Sequence, residues 1–121
     1  MAGLEIKNVD SPDETRQFAD KGDGRVYDVA GHAVLYSNFQ PGWRWSEHVK
    51  PKVGTDKCEA PHLLYGLSGR LRVQHDDGSE GEVGPGDIAV IEPGHDAWVV
   101  GNEPFVSIDF GGYRQYGQPA G

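Results

Sequence analysis

Glycine and proline punctuate this chain too often to leave room for long helices. Eighteen glycines and eight prolines fall among its 121 residues, separated by short runs rich in Val, Ile, Leu, Tyr, Phe and Trp. A free-standing helix needs roughly a dozen uninterrupted residues, whereas a strand is complete in about five. Many short apolar runs bounded by turn residues read as an all-β sandwich or barrel. The expected strands are Arg25–Ala30, Ala33–Gln40, Gly42–Val49, His62–Ser68, Arg70–His75, Ser79–Val83, Asp87–Glu92, His95–Val100 and Phe105–Phe110. Asp77-Gly78 predicts a two-residue type I′ hairpin, because that turn needs φ > 0. Gly84-Pro85-Gly86-Asp87 and Pro93-Gly94 mark further turns. Ser11-Pro12-Asp13-Glu14 has the layout of a capping box with proline at the first helical position, which predicts one helical turn before Phe18. The one long irregular stretch is Lys50–Pro61, and loops of that length in a compact domain tend to be functional or mobile.

The length fits one domain, read as an N-terminal arm over residues 1–24, a barrel over 25–110 and a tail over 111–121. The net charge is −8, from 19 acidic and 11 basic residues, and no basic cluster stands out. A phosphate backbone needs cations to neutralise it, so nucleic acid is not an expected partner. No apolar run approaches the roughly 18 residues of a membrane helix, so no membrane partner is expected. The N-terminal MAGLEIKNVD lacks the basic-then-apolar layout of a secretory signal. The single cysteine, Cys58, has no internal disulfide partner. Both features point to a reducing cytoplasm.

Several spacings carry more specific information. Gly42 is followed after five residues by His48, and His62 after six residues by Gly69. Further on come Pro85-Gly86-Asp87, the apolar Ile88-Ala89-Val90-Ile91 and Pro93-Gly94-His95. Together these resemble the paired motifs of the cupin superfamily. The family's first motif runs glycine, His-x-His, glutamate, glycine. Here Lys50 takes the place of the second histidine, His62 that of the glutamate, and Lys50–Pro61 lengthens the interval between them. In the second motif the histidine follows its glycine after two residues, whereas His95 follows Gly94 at once. The resemblance spans Ala33 to Phe110, and the surrounding sequence is similar to that of small single-domain bacterial cupins. It implies a cupin-type double-stranded β-helix, a jelly-roll barrel with a short N-terminal arm, closed around one pocket. Related small cupins imply a homodimer.

A metal site needs several N, O or S ligands converging at about 2 Å. His48, His62 and His95 fall on three separate expected strands, each near a strand end. The resemblance implies that all three surround the pocket. Cys58, four residues before His62, is the candidate fourth ligand. Imidazoles suit a divalent transition metal such as Fe, Zn, Ni, Mn or Cu, and a thiolate shifts the choice toward Zn or Fe. Glu47 has opposite strand parity to His48 and reads as a surface carboxylate, or as a ligand or base if the strand bulges. His32, His75 and Lys50 read as solvent-facing or hydrogen-bonded. Trp43 and Trp45 share one strand face and read as core, as cover beneath the arm or as a subunit interface. Trp98 reads as packing, and Tyr36, Leu64 and Leu71 as pocket lining.

The expected function is that of a metal-dependent enzyme acting on a small organic molecule, by dioxygenase-like oxidation or by isomerase or lyase chemistry. Two alternatives follow from the altered ligand pattern. One is a non-catalytic module that binds or senses a small molecule or a metal. The other is a structural dimerisation domain.

Overall fold

A computed structural model describes residues 3–111. It contains β1 (Glu14–Gln17), β2 (Gly22–Val29), β3 (His32–Phe39), α1 (Trp45–His48), α2 (Lys50–Val53), β4 (His62–Ser68), β5 (Arg70–His75), β6 (Glu80–Val83), β7 (Ile88–Ile91), β8 (His95–Val100) and β9 (Phe105–Asp109). The strands form two antiparallel sheets, six-stranded in the order β1-β2-β3-β9-β4-β7 and three-stranded in the order β6-β5-β8. Among the described residues no helix is long and apolar enough to cross a membrane. The expected tail, apart from Gly111, lies outside the described residues.

Alternation along the strands builds the core. Side chains two apart share a face, so β3 turns Ala33, Leu35, Ser37 and Phe39 inward, and β9 turns Phe105, Ser107 and Asp109 inward. β4 does the same with His62, Leu64 and Gly66. Phe18 extends the core: its ring lies 5.8 Å from that of Phe39, which stacks on Trp43 at 3.9 Å. Trp43 and Trp45 are therefore core residues, which settles the open reading of that pair.

Three expectations need correction. The capping-box segment forms no helix; β1 begins at Glu14, and Asp13 N–H donates to Val26 O instead. Residues 14–17 and 22–24 of the expected arm thus belong to the six-stranded sheet. The Asp77-Gly78 hairpin is not type I′, because only Gly78 has positive φ. It is a β-turn from His75 to Gly78, with Gly78 N–H donating to His75 O, closed by glycine in the left-handed region. Gly42–Val49 is not a strand. Trp43 O accepts from Val99 N–H, Arg44 bridges to Trp98, and the chain then coils into α1. The buried Asp96 carboxylate drives this change, because it accepts the Ser46 N–H at 3.1 Å and the Arg44 Nε–H at 3.2 Å. An acceptor held beside the first turn of a helix satisfies a donor that the turn itself cannot.

Gly69 joins the two sheets at φ 75°, and a Cβ there would lie 2.1 Å from Pro104 O. Gly69→Ala is expected to lower stability by about 2 kcal/mol, the cost of a left-handed non-glycine residue with added crowding. Denaturant unfolding measures this, and a midpoint unchanged from the parent chain would contradict it.

Candidate metal centre

β4 opens with His62, whose inward parity carries its ring into the core, and β8 opens with His95, also buried. Their rings meet edge to face with centroids 5.1 Å apart. Cys58 reaches them from the long loop through a backbone bridge. Its N–H donates to His95 O at 2.9 Å, and its carbonyl accepts from Gly94 N–H at 2.8 Å. The Lys50–Pro61 segment is thus a pinned arm that delivers a thiol beside the first residue of β8.

Each of the three side chains offers one donor atom, and these atoms lie within 4.8 Å of one another. Cys58 Sγ is 3.6 Å from His62 Nε2. Ligands bound at about 2.0–2.3 Å in a tetrahedral arrangement stand roughly 3.5 Å apart, so this separation suits a shared ion. The other ring nitrogens are already committed. His62 Nδ1 bonds the buried Asp109 carboxylate, and His95 Nδ1–H donates to Glu92 O at 2.8 Å. Fixing the proton at Nδ1 leaves Nε2 for the ion, the usual support given to metal-bound histidine. Asp109 is itself held by the N–H groups of Leu63 at 3.2 Å and Gly111 at 2.9 Å. Cys58, His62 and His95 therefore fit a metal ion in number, donor type and support.

Charge follows from this packing. Burial pushes the Cys58 thiol up, but hydrogen bonds from His62 and His95 outweigh it and bring the thiol down to about 7. Burial likewise pushes His62 down, and its bonds to Asp109 and Cys58 outweigh that and raise it to about 9. A thiolate beside an imidazolium is the resulting pair around neutrality.

The remaining sequence candidates fall elsewhere. His48 does not join the donor cluster. It ends α1 instead of lying on a strand, and its Nδ1 sits 3.0 Å from Arg44 N and 3.1 Å from Arg44 O, engaged with the backbone of its own turn. His48→Ala is therefore expected to leave metal content unchanged and to lower stability by at most about 1 kcal/mol, one hydrogen bond's worth. Elemental analysis beside the parent chain checks this; loss of metal would restore His48 to the ligand set. Glu47 is exposed, and Lys50 pairs with Asp56 at 2.9 Å. His32 is exposed, and His75 bonds Pro93 O at 2.8 Å. Tyr36 faces outward, because β3 turns Leu35 and Ser37 inward, whereas Leu64 and Leu71 line the interior as expected. Trp98 packs under the Arg44 guanidinium at 4.4 Å. Asp109 was not among the candidates. Its only signal in the sequence is a carboxylate at an inward position, in step with Phe105 and Ser107.

A cavity of about 30 Å³ adjoins the cluster, with room for one or two water molecules. Its walls are largely apolar, among them Leu35, Phe39, Trp43, Leu64 and Phe105, and among the described residues neither lysine nor arginine contributes. Trp43, which lines it, has a buried Nε1–H without a hydrogen-bond partner among the described residues.

No protein-family model matches the chain. No curated protein matches it either. Solved structures do. An uncharacterized conserved protein with a double-stranded β-helix domain from Klebsiella pneumoniae is 21% identical, with a TM-score of 0.56 over 88% of this chain and 88% of that one. A variant of oxalate decarboxylase from Bacillus subtilis is 16% identical, with a TM-score of 0.61 over 93% of this chain but 30% of that longer one. Drosophila melanogaster CENP-C, solved bound to CAL1, is 14% identical, with a TM-score of 0.62 over 88% of this chain and 84% of that one. The fold is that of the cupins, a double-stranded β-helix. Within that fold, the chain carries a buried Cys/His/His group able to hold a metal ion.

Proposed function

We propose that the protein is a metal-binding cupin whose Cys58, His62 and His95 hold one divalent transition metal for chemistry on a small molecule. The observation that carries this reading is the convergence of three buried donors within 4.8 Å. Three protein ligands leave coordination open, as catalytic sites do and closed structural sites do not. A bound metal there supplies Lewis acidity or a place for dioxygen. Dioxygenase-like oxidation is the leading reaction class, followed by isomerase or lyase chemistry. Asp109 and the Glu92 carbonyl orient the two imidazoles, and the thiolate contributes negative charge. The Trp43 Nε1–H is a donor for an acceptor atom of the incoming molecule.

The size of the cavity favours a second reading. A space of about 30 Å³ suits a diatomic or water-sized ligand better than an organic substrate, which usually occupies roughly 300 Å³ or more. A non-catalytic module that binds a metal or a very small ligand matches that limit.

The test uses the full chain without a histidine tag. Cobalt(II) titration is expected to give the sulfur-to-cobalt charge-transfer band of a thiolate ligand, and Cys58→Ser to abolish that band. A parent chain that takes up no cobalt or zinc and gains no thermal stability from either would sink the proposal. Open coordination would then separate the two readings: solvent exchanging on the bound cobalt supports the enzyme, and a closed shell supports the binding module.

A further inference from the structure

β6 and β7 follow one another in the chain, yet they do not pair. β6 pairs with β5 alone, and β7 with β4 alone. The turn between them, Gly84-Pro85-Gly86-Asp87, is the cause. Gly86 N–H donates to Gly66 O and Gly66 N–H to Asp87 O, both at 2.9 Å, so the turn is tied to β4. β6 enters it from the small sheet, and β7 leaves it along the large one. A cleft of about 420 Å³ lies between the two strand edges. An organic ligand usually occupies roughly 300–1,000 Å³. The cleft thus has the room that the cavity of about 30 Å³ beside the donor cluster lacks.

Its floor is apolar and its rim acidic. Val73 on β5, Val83 on β6, and Ala89 and Ile91 on β7 line it. Gly81, opposite Val73, keeps it open, since a Cβ there would meet nothing within 4 Å. The polar lining falls into two sets. His75 is already committed: its Nδ1 accepts from Asp77 N–H at 3.0 Å, and its Nε2–H donates to Pro93 O at 2.8 Å. Asp77 in turn accepts from Ser79 N–H and Oγ–H. Glu80, Glu82 and Glu92 are exposed at the rim. Arg72, outside the lining, pairs with Glu80 at 3.7 Å. Among the described residues Glu82 and Glu92 have no ion-pair partner, and no lysine or arginine lines the cleft.

From this cleft we infer that the molecule on which the metal acts binds between β6 and β7, and that it is an organic cation, an ammonium group on an apolar body. The body covers the valines and Ala89. The ammonium supplies the counter-charge that Glu82 and Glu92 lack, whereas an anion is repelled by both. Ile91 joins the cleft to the candidate metal centre. It lines both the cleft and the inner cavity, and it pairs across strands with His62. His75 pairs likewise with His95. Cross-strand partners stand about 5 Å apart, so a ligand against Ile91 lies within roughly 10 Å of an ion held by His62. The role as substrate site rests on the function proposed above; binding of the cation in the cleft does not.

Titration calorimetry of the full, metal-free chain with three probes of one shape tests the cleft: 2-phenylethylammonium, 2-phenylethanol and 3-phenylpropanoate. The ammonium is expected to bind about 5-fold more tightly than the alcohol, the most that an exposed ion pair usually gives. The carboxylate is expected to bind more weakly than either, and added salt to erase the advantage of the ammonium. Gly81→Phe, whose ring enters the open space, is expected to abolish binding of all three with the melting temperature unchanged. Glu82→Gln with Glu92→Gln, at two exposed side chains, is expected to bring the ammonium to the affinity of the alcohol. Absence of binding, affinities that do not rank by charge, or parent-like affinity in Gly81→Phe would overturn the inference. On the cobalt(II)-loaded chain the proton resonances of the bound ammonium are expected to broaden, and on the zinc-loaded chain they are not. Binding without that broadening would detach the cleft from the metal and overturn its role as substrate site. A chain that takes up no metal sinks the proposed function instead, and the metal-free titration still decides the cleft.

Discussion

Asp109→Asn is expected to weaken metal binding 10- to 100-fold near pH 9 and to cost about 3 kcal/mol of stability. The change is nearly isosteric, so volume is not the cause. The wild-type carboxylate only accepts hydrogen bonds, taking one each from Leu63 N–H and Gly111 N–H and the proton of His62 Nδ1. An amide that keeps its oxygen on the backbone donors turns its NH₂ toward His62 Nδ1. Two donors cannot face each other, so Nδ1 becomes the acceptor and the ring proton moves to Nε2. That is the nitrogen 3.6 Å from Cys58 Sγ and the one available to a metal. The same tautomer logic explains why replacing the carboxylate behind a catalytic histidine by its amide is so damaging in serine proteases. The stability loss has a separate origin, since a buried imidazolium deprived of its carboxylate is left uncompensated. Near neutral pH the substituted chain also holds its ring proton less tightly, which offsets part of the affinity loss. Competition with a chelator near pH 9 isolates the tautomer effect. Affinity equal to that of the parent chain there would mean that Asp109 serves folding alone.

Why Asp109 escaped the sequence reading is instructive. β4, β5 and β8 match the expected strands residue for residue, because turn chemistry and alternation are local signals. His62 and His95 were legible through the glycine spacings around them, and Cys58 through its closeness to His62. Asp109 belongs to no motif and lies 47 residues from the histidine it serves. Only the inward parity of β9 marks it, and parity becomes meaningful once the strand is placed in a sheet. His48 failed for the reverse reason. Trp43, Arg44, Trp45, Ser46 and Glu47 alternate as a strand does, so the local pattern pointed the wrong way. A carboxylate from β8 settled the conformation: Asp96 is 50 residues from the Ser46 N–H that it accepts. Tertiary partners override local pattern most easily in short segments, where few backbone hydrogen bonds are at stake.

Metal affinity is expected to rise about 10-fold per pH unit between pH 7 and 9, and about 100-fold per unit just below pH 7. In the metal-free protein Cys58 is a thiolate above about 7 and His62 an imidazolium below about 9. A metal requires the thiolate and the neutral ring. Between these values uptake expels one proton, from His62; below 7 it expels two, from His62 and Cys58. Above 9 the pair imposes no further dependence. Stability of the metal-free chain follows a different course. His62 is raised from 6.5, so its contribution is complete below 6.5 and is lost as pH rises through 9. Cys58 is lowered from 9.0, so its contribution is complete above 9.0 and is lost as pH falls through 7. The opposing slopes cancel between 7 and 9. In that interval the pair leaves stability nearly flat while metal affinity climbs about 100-fold. Chelator competition and denaturant unfolding on the same samples measure both curves. In Asp109→Asn the affinity slope is expected to flatten between pH 7 and 9, because His62 no longer holds its proton there. An affinity independent of pH in the parent chain would rule out the charged pair, since neutral His62 has no proton to release.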